Sequence, residues 1–112
     1  MHELALMQSV MEALEGSARE NGISRIFRVK LVVGRLTAVL PAALEFAFSV
    51  LAQGPLWREA RLEIEAREAE AVCRHCGQRF LVEGYRFDCP HCGGDASLLA
   101  GRELLIESYD GD

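Results

Sequence analysis

Cys73-Arg74-His75-Cys76-Gly77 and Cys89-Pro90-His91-Cys92-Gly93 are the stretches on which the reading of this chain turns. Each is a Cys-x-x-Cys knuckle, and together they hold all four cysteines. Zn²⁺ prefers tetrahedral coordination by soft thiolates. A Cys-x-x-Cys turn followed by glycine lets backbone amides point at the first pair of sulfurs, so two such turns complete one four-thiolate site. A pair of disulfides is the competing use of these residues. No apolar secretory segment stands at the N-terminus, and a reducing cytoplasm keeps thiols free, so the spacing predicts a bound metal and a cytoplasmic protein. The ligand set alone does not choose between zinc and iron. The insert between the knuckles carries Phe80, Tyr85 and Phe87, enough for one small hairpin. So short a segment does not bury a self-sufficient core, and a metal staple supplies what burial cannot.

Strand patterns flank the knuckles on both sides. Upstream, Ala60, Leu62, Ile64 and Ala66 alternate with Arg61, Glu63, Glu65 and Arg67, a strand with one wet face. Downstream, residues 98–109 again read as strand, broken by a turn at Gly101. The metal lobe is therefore an insertion rather than a tail, and the last segment, about 103–109, is expected to return to the sheet of the first lobe.

The N-terminal half supplies that first lobe. Leu4, Met7, Met11, Leu14 and Ala18 recur at the three-and-four spacing of a helix burying one face, and Asn21-Gly22 provides a left-handed stop. Met7 and Met11 fall on the apolar stripe, which makes them core filler rather than soft-metal ligands. From Ile23 to Val33 the period becomes two, with Phe27, Val29, Leu31 and Val33 on one face and Arg28 and Lys30 on the other. Residues 36–40 form a connection, and Pro41 suits the first turn of a second helix. That helix runs to about Gln53, with Leu44, Ala47, Phe48 and Leu51 as its stripe. Phe46 and Val50 widen the stripe, so the helix is expected to bury against more than one surface.

The expected fold class is α+β: a small mixed three-stranded sheet with two helices on one face and charged residues on the other, plus an inserted zinc-ribbon-like lobe bearing the two knuckles. The expected division is residues 1–70 with 101–112 for the α/β lobe and residues 71–100 for the zinc lobe. At 112 residues, half of them apolar, the chain suits this plan. Its net charge of −5 disfavours polyanionic partners, and no apolar run reaches membrane-spanning length, which predicts a soluble protein.

Catalytic signatures are missing. Gly34 and Gly54 stand alone rather than in a phosphate cradle, and no serine sits in an activated-nucleophile motif. Four thiolates would fill a zinc ion and leave no open position for a catalytic water. The chain therefore reads as a non-enzyme. Of its three histidines, His75 and His91 read as exposed knuckle-tip residues. At His2 an α-amine, a deprotonatable amide and an imidazole follow one another, a set that wraps a square-planar d⁸ or d⁹ ion in fused chelate rings.

Met1-His2-Glu3 at the start, Gly34-Arg35-Leu36-Thr37, Phe46-Ala47-Phe48, the paired knuckles and Gly101-Arg102-Glu103-Leu104 together resemble the HypA/HybF family of hydrogenase-maturation nickel metallochaperones over essentially the whole chain. The resemblance implies a nickel-binding lobe and a structural zinc lobe. It also implies work with the accessory GTPase HypB to insert Ni²⁺ into the large subunit of nickel-iron hydrogenase. Nickel then belongs to Met1, His2 and Glu3, and zinc to Cys73, Cys76, Cys89 and Cys92. One departure is local: relatives commonly carry a carboxylate after the proline that starts the second helix, where this chain has Ala42. The other function class is a zinc-ribbon module recruiting protein or nucleic acid. A basic aromatic face would favour it, but Arg74, Arg79 and Arg86 are balanced by Glu83, Asp88 and Asp95.

Overall fold

The computed structural model describes residues 3–112. Helix α1 (Glu3–Glu20) buries Met7, Met11, Leu14 and Ala18, the stripe its sequence spacing predicts. It ends in a Schellman arrangement. Gly22 takes φ 66°, the Ile23 amide donates to the Ala18 carbonyl at 2.8 Å, and the Gly22 amide donates to Arg19 at 3.4 Å. The turn delivers the chain to β1 (Ile26–Gly34), which starts three residues later than its period-two pattern because Ile23 belongs to this helix stop.

A single 3₁₀ turn (Arg35–Thr37) follows, and Ala38 closes it at φ 61°. Helix α2 (Pro41–Leu51) then buries Leu44, Ala47 and Phe48. Phe46 and Val50 do not join that face as expected: they are 71% and 48% exposed. At 100° per residue, Phe46 lies about 200° from both Leu44 and Phe48, on the far side of the helix. The Phe48 ring meets Trp57 edge-on at 5.9 Å, and the Trp57 indole N–H donates to Glu15 on α1 at 3.0 Å.

β2 (Arg61–Arg67), β1 and β6 (Leu104–Gly111) form one sheet, in the order β2-β1-β6. Ion pairs give the strand directions. Arg28 meets Glu63 and Lys30 meets Glu65, so β1 and β2 rise together, as the helical crossover through α2 requires. Arg28 also meets Asp110 and Lys30 meets Glu107, so β6 runs the other way. The sheet is mixed, and these charges occupy the face expected to carry them. Both cations are held above their ordinary pKa, Arg28 chiefly by Asp110 and Lys30 chiefly by Glu107. The apolar residues of the strand, Val29 and Leu31, are buried, and the Ser17 and Tyr109 hydroxyls, 2.7 Å apart, tie α1 to β6.

The remaining strands form a second three-stranded sheet. β3 (Glu70–Cys73) lies between β4 (Arg79–Leu81) and β5 (Ala96–Ala100), antiparallel to both, with a register shift between Glu70 and Ala71. The chain accordingly divides into two compact units. One takes the described residues of Met1–Val32, with Val39–Glu65 and Leu105–Asp112; the other takes Val33–Ala38 and Ala66–Leu104. The core of the second unit is small: Ala69, Ala71 and Val82, with Leu36, Phe80, Ala96 and Leu98 packed against them. Leu36, part of what reads in sequence as a plain connection, is thus half-buried against the core of this unit.

Gly34 sits where two backbones meet. Its amide donates to Glu103 O at 2.6 Å, and a Cβ there would strike the Gly101 carbonyl and come within 2.7 Å of the Glu103 nitrogen. Gly101 itself takes φ 123°, and a Cβ on it would fall 2.8 Å from the Ala69 Cα. Because backbone cannot move aside as a side chain can, Gly34→Ala is expected to destabilise the protein by about 3 kcal/mol. A thermal melt in which Gly34→Ala matches the parent chain would show that this approach is not made.

Candidate metal centre

The two knuckles share one hydrogen-bond pattern, imposed by their common sequence. In the first, the Cys73 Sγ accepts from the amides of His75 at 3.3 Å and Cys76 at 3.4 Å. The Gly77 amide donates to the Cys73 carbonyl at 3.0 Å, and the Cys73 amide donates to Gln78 O. In the second, the Cys89 Sγ accepts from the His91 amide at 3.3 Å, the Gly93 amide donates to Cys89 O, and the Cys89 amide donates to Gly94 O. Gly77 and Gly93 have φ of 79° and 74°, a left-handed step that a side chain would strain. Amides aimed at sulfur stabilise thiolate, the form a metal binds.

β3 carries the first knuckle at its end, since Cys73 is its last residue and pairs with Ala96 of β5. The Arg74 amide donates to Asp95 O at 2.8 Å, and its guanidinium Nε donates to the Ser97 hydroxyl at 2.8 Å. These bonds fix the first knuckle to the segment that leaves the second. Gly94 fills the remaining gap, where a Cβ would come within 3.3 Å of both the Cys73 and Cys92 sulfurs.

The four thiol sulfurs all lie within 4.8 Å of one another. Cys73 and Cys92 are 3.5 Å apart and Cys76 and Cys89 are 3.7 Å apart, and all four cysteines are free. Those separations far exceed a sulfur-sulfur bond, about 2.05 Å. They match the edge of about 3.8 Å that a tetrahedron with metal-sulfur bonds of about 2.3 Å requires. The residues present therefore fit a four-coordinate ion. Cys73 and Cys89 are buried, whereas Cys76 and Cys92 face outward.

Crowding splits the thiols by acidity. The amides of Cys76 and His75 hold the Cys73 thiol down to about 6. Cys92 moves the other way: although the Gly94 amide donates to it, the Cys73 thiol and the loss of water around its sulfur push it up to about 12. Cys76 is also raised, the Gln78 amide being outweighed by the loss of water around its sulfur and by the Cys73 thiol. Cys73 thus takes the negative charge while Cys76 and Cys92 keep their protons, the arrangement expected of thiols sharing so small a volume.

Met1 and His2 lie outside the described residues. Glu3 opens α1, half-buried, and its Oε2 accepts from the Leu40 amide at 3.1 Å. Sequence patterning did not reveal this contact. His75 and His91 are exposed at the knuckle tips, as expected. Arg79 pairs with Glu70 at 3.5 Å and Arg86 with Asp88 at 3.6 Å. No helix among the described residues is long and apolar enough to cross a membrane.

The family model described as "Hydrogenase/urease nickel incorporation, metallochaperone, hypA" matches residues 1–111. A protein of Moorella thermoacetica named hydrogenase maturation factor HypA is 46% identical over 113 positions, covering 100% of both chains. A Desulfitobacterium hafniense protein of the same name is 40% identical, covering 98% of this chain and 97% of its own. The solution structure of the Ni metallochaperone HypA from Helicobacter pylori superposes with a TM-score of 0.68 at 23% identity, covering 99% of this chain and 97% of the other. A second solution structure, of a HypA protein, gives 0.72 at 23% identity over 100% and 97%. At that identity the two structures speak to the fold.

The raised Cys76 and Cys92 thiols are protonated at pH 7 in the metal-free cluster. A divalent metal entering it must displace both protons. Calorimetric titration of the stripped protein at pH 7, in buffers of different ionisation enthalpy, should give at least two protons released per metal bound. Release of one or none would mean that the thiols do not all become ligands.

Proposed function

The chain belongs to the HypA family of hydrogenase/urease nickel-incorporation metallochaperones, and from that premise we propose that it binds Ni(II) at its N-terminus and hands it on for assembly of the nickel-iron hydrogenase active site. The observation that carries the reading is the extent of the family match, which begins at residue 1 and so takes in Met1-His2-Glu3. The ligands are the Met1 amine, the His2 amide nitrogen and the His2 imidazole, with Glu3 adding a backbone or carboxylate donor. Deprotonating an amide needs an ion that binds nitrogen strongly, which favours Ni²⁺ or Cu²⁺ over Zn²⁺.

Zn²⁺ is the resident ion, held by Cys73, Cys76, Cys89 and Cys92. A site closed by four thiolates suits a redox-inert metal that contributes folding energy and takes no part in the transfer. The two metals therefore divide by donor type, borderline nitrogen for the cargo and sulfur for the staple. The partners are the accessory GTPase HypB and the hydrogenase large subunit, and the setting is the cytoplasm, where thiols stay reduced. The protein catalyses no reaction of its own.

Protons compete with the cargo. An imidazole and an α-amine, with ordinary pKa values of about 6.5 and 7.7–8, both gain protons as the medium falls from pH 8 to pH 6. Nickel affinity is therefore expected to drop across that range, which makes a mildly acidic setting favourable for release. Chelation also needs Met1 to be the first residue.

The test compares untagged protein with His2→Ala and with a form carrying two extra residues ahead of Met1. Both changes should abolish stoichiometric Ni²⁺ binding in calorimetry while leaving one zinc per chain by elemental analysis. Unchanged nickel binding in His2→Ala would move the site elsewhere, and zinc-free protein from a reducing preparation would remove the structural-zinc assignment.

A further inference from the structure

Helix α2 begins without the residues that normally serve a helix start. Its N-cap is Leu40, which has no side chain able to cap; Pro41 follows, and the first turn holds no acidic residue. In a capping box the third helical residue, a Glu or Gln, reaches back to the N-cap amide. Here that residue is Ala43, and Ala42 beside it is equally unable to accept. The Ala43 and Leu44 amides turn inward to the Leu40 carbonyl, both at 3.1 Å. The Leu40 amide, left outside this pattern, donates to the Glu3 Oε2 at 3.1 Å.

A residue of another helix thus completes the capping box. Glu3 lies 37 positions away in sequence, and its negative charge sits at the positive end of the α2 dipole. It is also the residue that follows the Met1-His2 pair. We propose that the Glu3 carboxylate is a clamp rather than a nickel ligand. It fastens the residue next to the N-terminal chelate onto the first turn of α2, and leaves only its backbone to the metal. The inference rests on the N-terminal nickel reading and narrows it, making Glu3 a positioning residue. Oε2 is the oxygen the Leu40 amide holds, so turning that oxygen to a metal would strip the amide of its acceptor. Anchoring residue 3 also cuts the freedom that the chelating residues lose when they close on an ion, so affinity gains without any bond from the side chain to nickel.

Glutamine separates the two roles, because its amide oxygen accepts a hydrogen bond while its carboxylate charge is gone. The full chain with Met1 as its first residue is compared with Glu3→Gln, Glu3→Ala and His2→Ala. Ni²⁺ affinity is read by calorimetry and exchange of the Leu40 amide by NMR. Glu3→Gln should keep Leu40 protected and bind nickel within about twofold of the parent. Glu3→Ala should lose that protection and weaken nickel about fivefold, the worth of one capping bond. The clamp is overturned if Glu3→Gln is as weak for nickel as Glu3→Ala, which would make the carboxylate a ligand. It is also overturned if Glu3→Ala leaves Leu40 protected or leaves nickel binding unchanged. His2→Ala keeps the two readings apart: unchanged nickel binding there ends the N-terminal site, while Leu40 exchange in the Glu3 variants still decides whether the cap exists.

Discussion

Four sulfurs within 4.8 Å of one another are the constraint on which the second unit rests. Its apolar core is made of two alanines and a valine, with a few half-buried neighbours. Side chains so small remove little surface from water, and at about 25 cal/mol per Å² that burial cannot order three short strands and two tight turns. Among the described residues the cluster is also the one place where thiols crowd together. Cys73 is driven to about 6 while Cys92 is driven to about 12, so the metal-free state carries protons and repulsions that a divalent ion removes at once. The glycines follow from the same demand: Gly77 and Gly93 allow the left-handed step that turns the amides toward sulfur, and Gly94 lets the two knuckles close.

The first unit is held differently. Met7, Leu14, Ile26, Val29, Leu31 and Leu44 are buried to 3% exposure or less, and Trp57 joins them with its indole N–H satisfied by Glu15. Here ordinary burial suffices, and the ion pairs of Arg28 and Lys30 on the open face of the sheet fix strand direction more than they add stability. This division suits a metallochaperone. On the proposed reading the cargo ion comes and goes at the first unit, which needs no metal to fold, and the thiolate site keeps its own ion.

Much of this was legible in the sequence because the signals are local. The stripe Met7, Met11, Leu14 and Ala18 has one solution as a helix, the Asn21-Gly22 stop has one geometry, and paired Cys-x-x-Cys-Gly knuckles admit few uses. Departures appear where two distant segments decide the outcome. Phe46 and Val50 look like core in an apolar helix, yet the direction of α2's buried face is set by what packs on Leu44, Ala47 and Phe48. Leu36 lies in an apparent connection yet packs half-buried on the core, because the 3₁₀ turn brings it beside Ala69, Ala71 and Val82. The Glu3 contact with Leu40 was foreshadowed only by a lack: an α2 start with alanines where a capping acid is usual. A missing cap says that something must replace it, not which residue will.

The claim that metal closure, rather than apolar burial, holds the second unit is tested most directly by amide hydrogen exchange on the protein before and after its metal is stripped under reducing conditions. The account predicts that Ala71 and Val72 in β3 lose their protection. Amides in α1 and the middle of β1, such as those of Leu14 and Val29, should keep theirs, and protection of β3 should return when Zn²⁺ is restored. If the β3 amides stay as protected in protein verified to be metal-free, the small alanine and valine core is sufficient on its own, and the four-thiol cluster is not what the fold of this unit depends on.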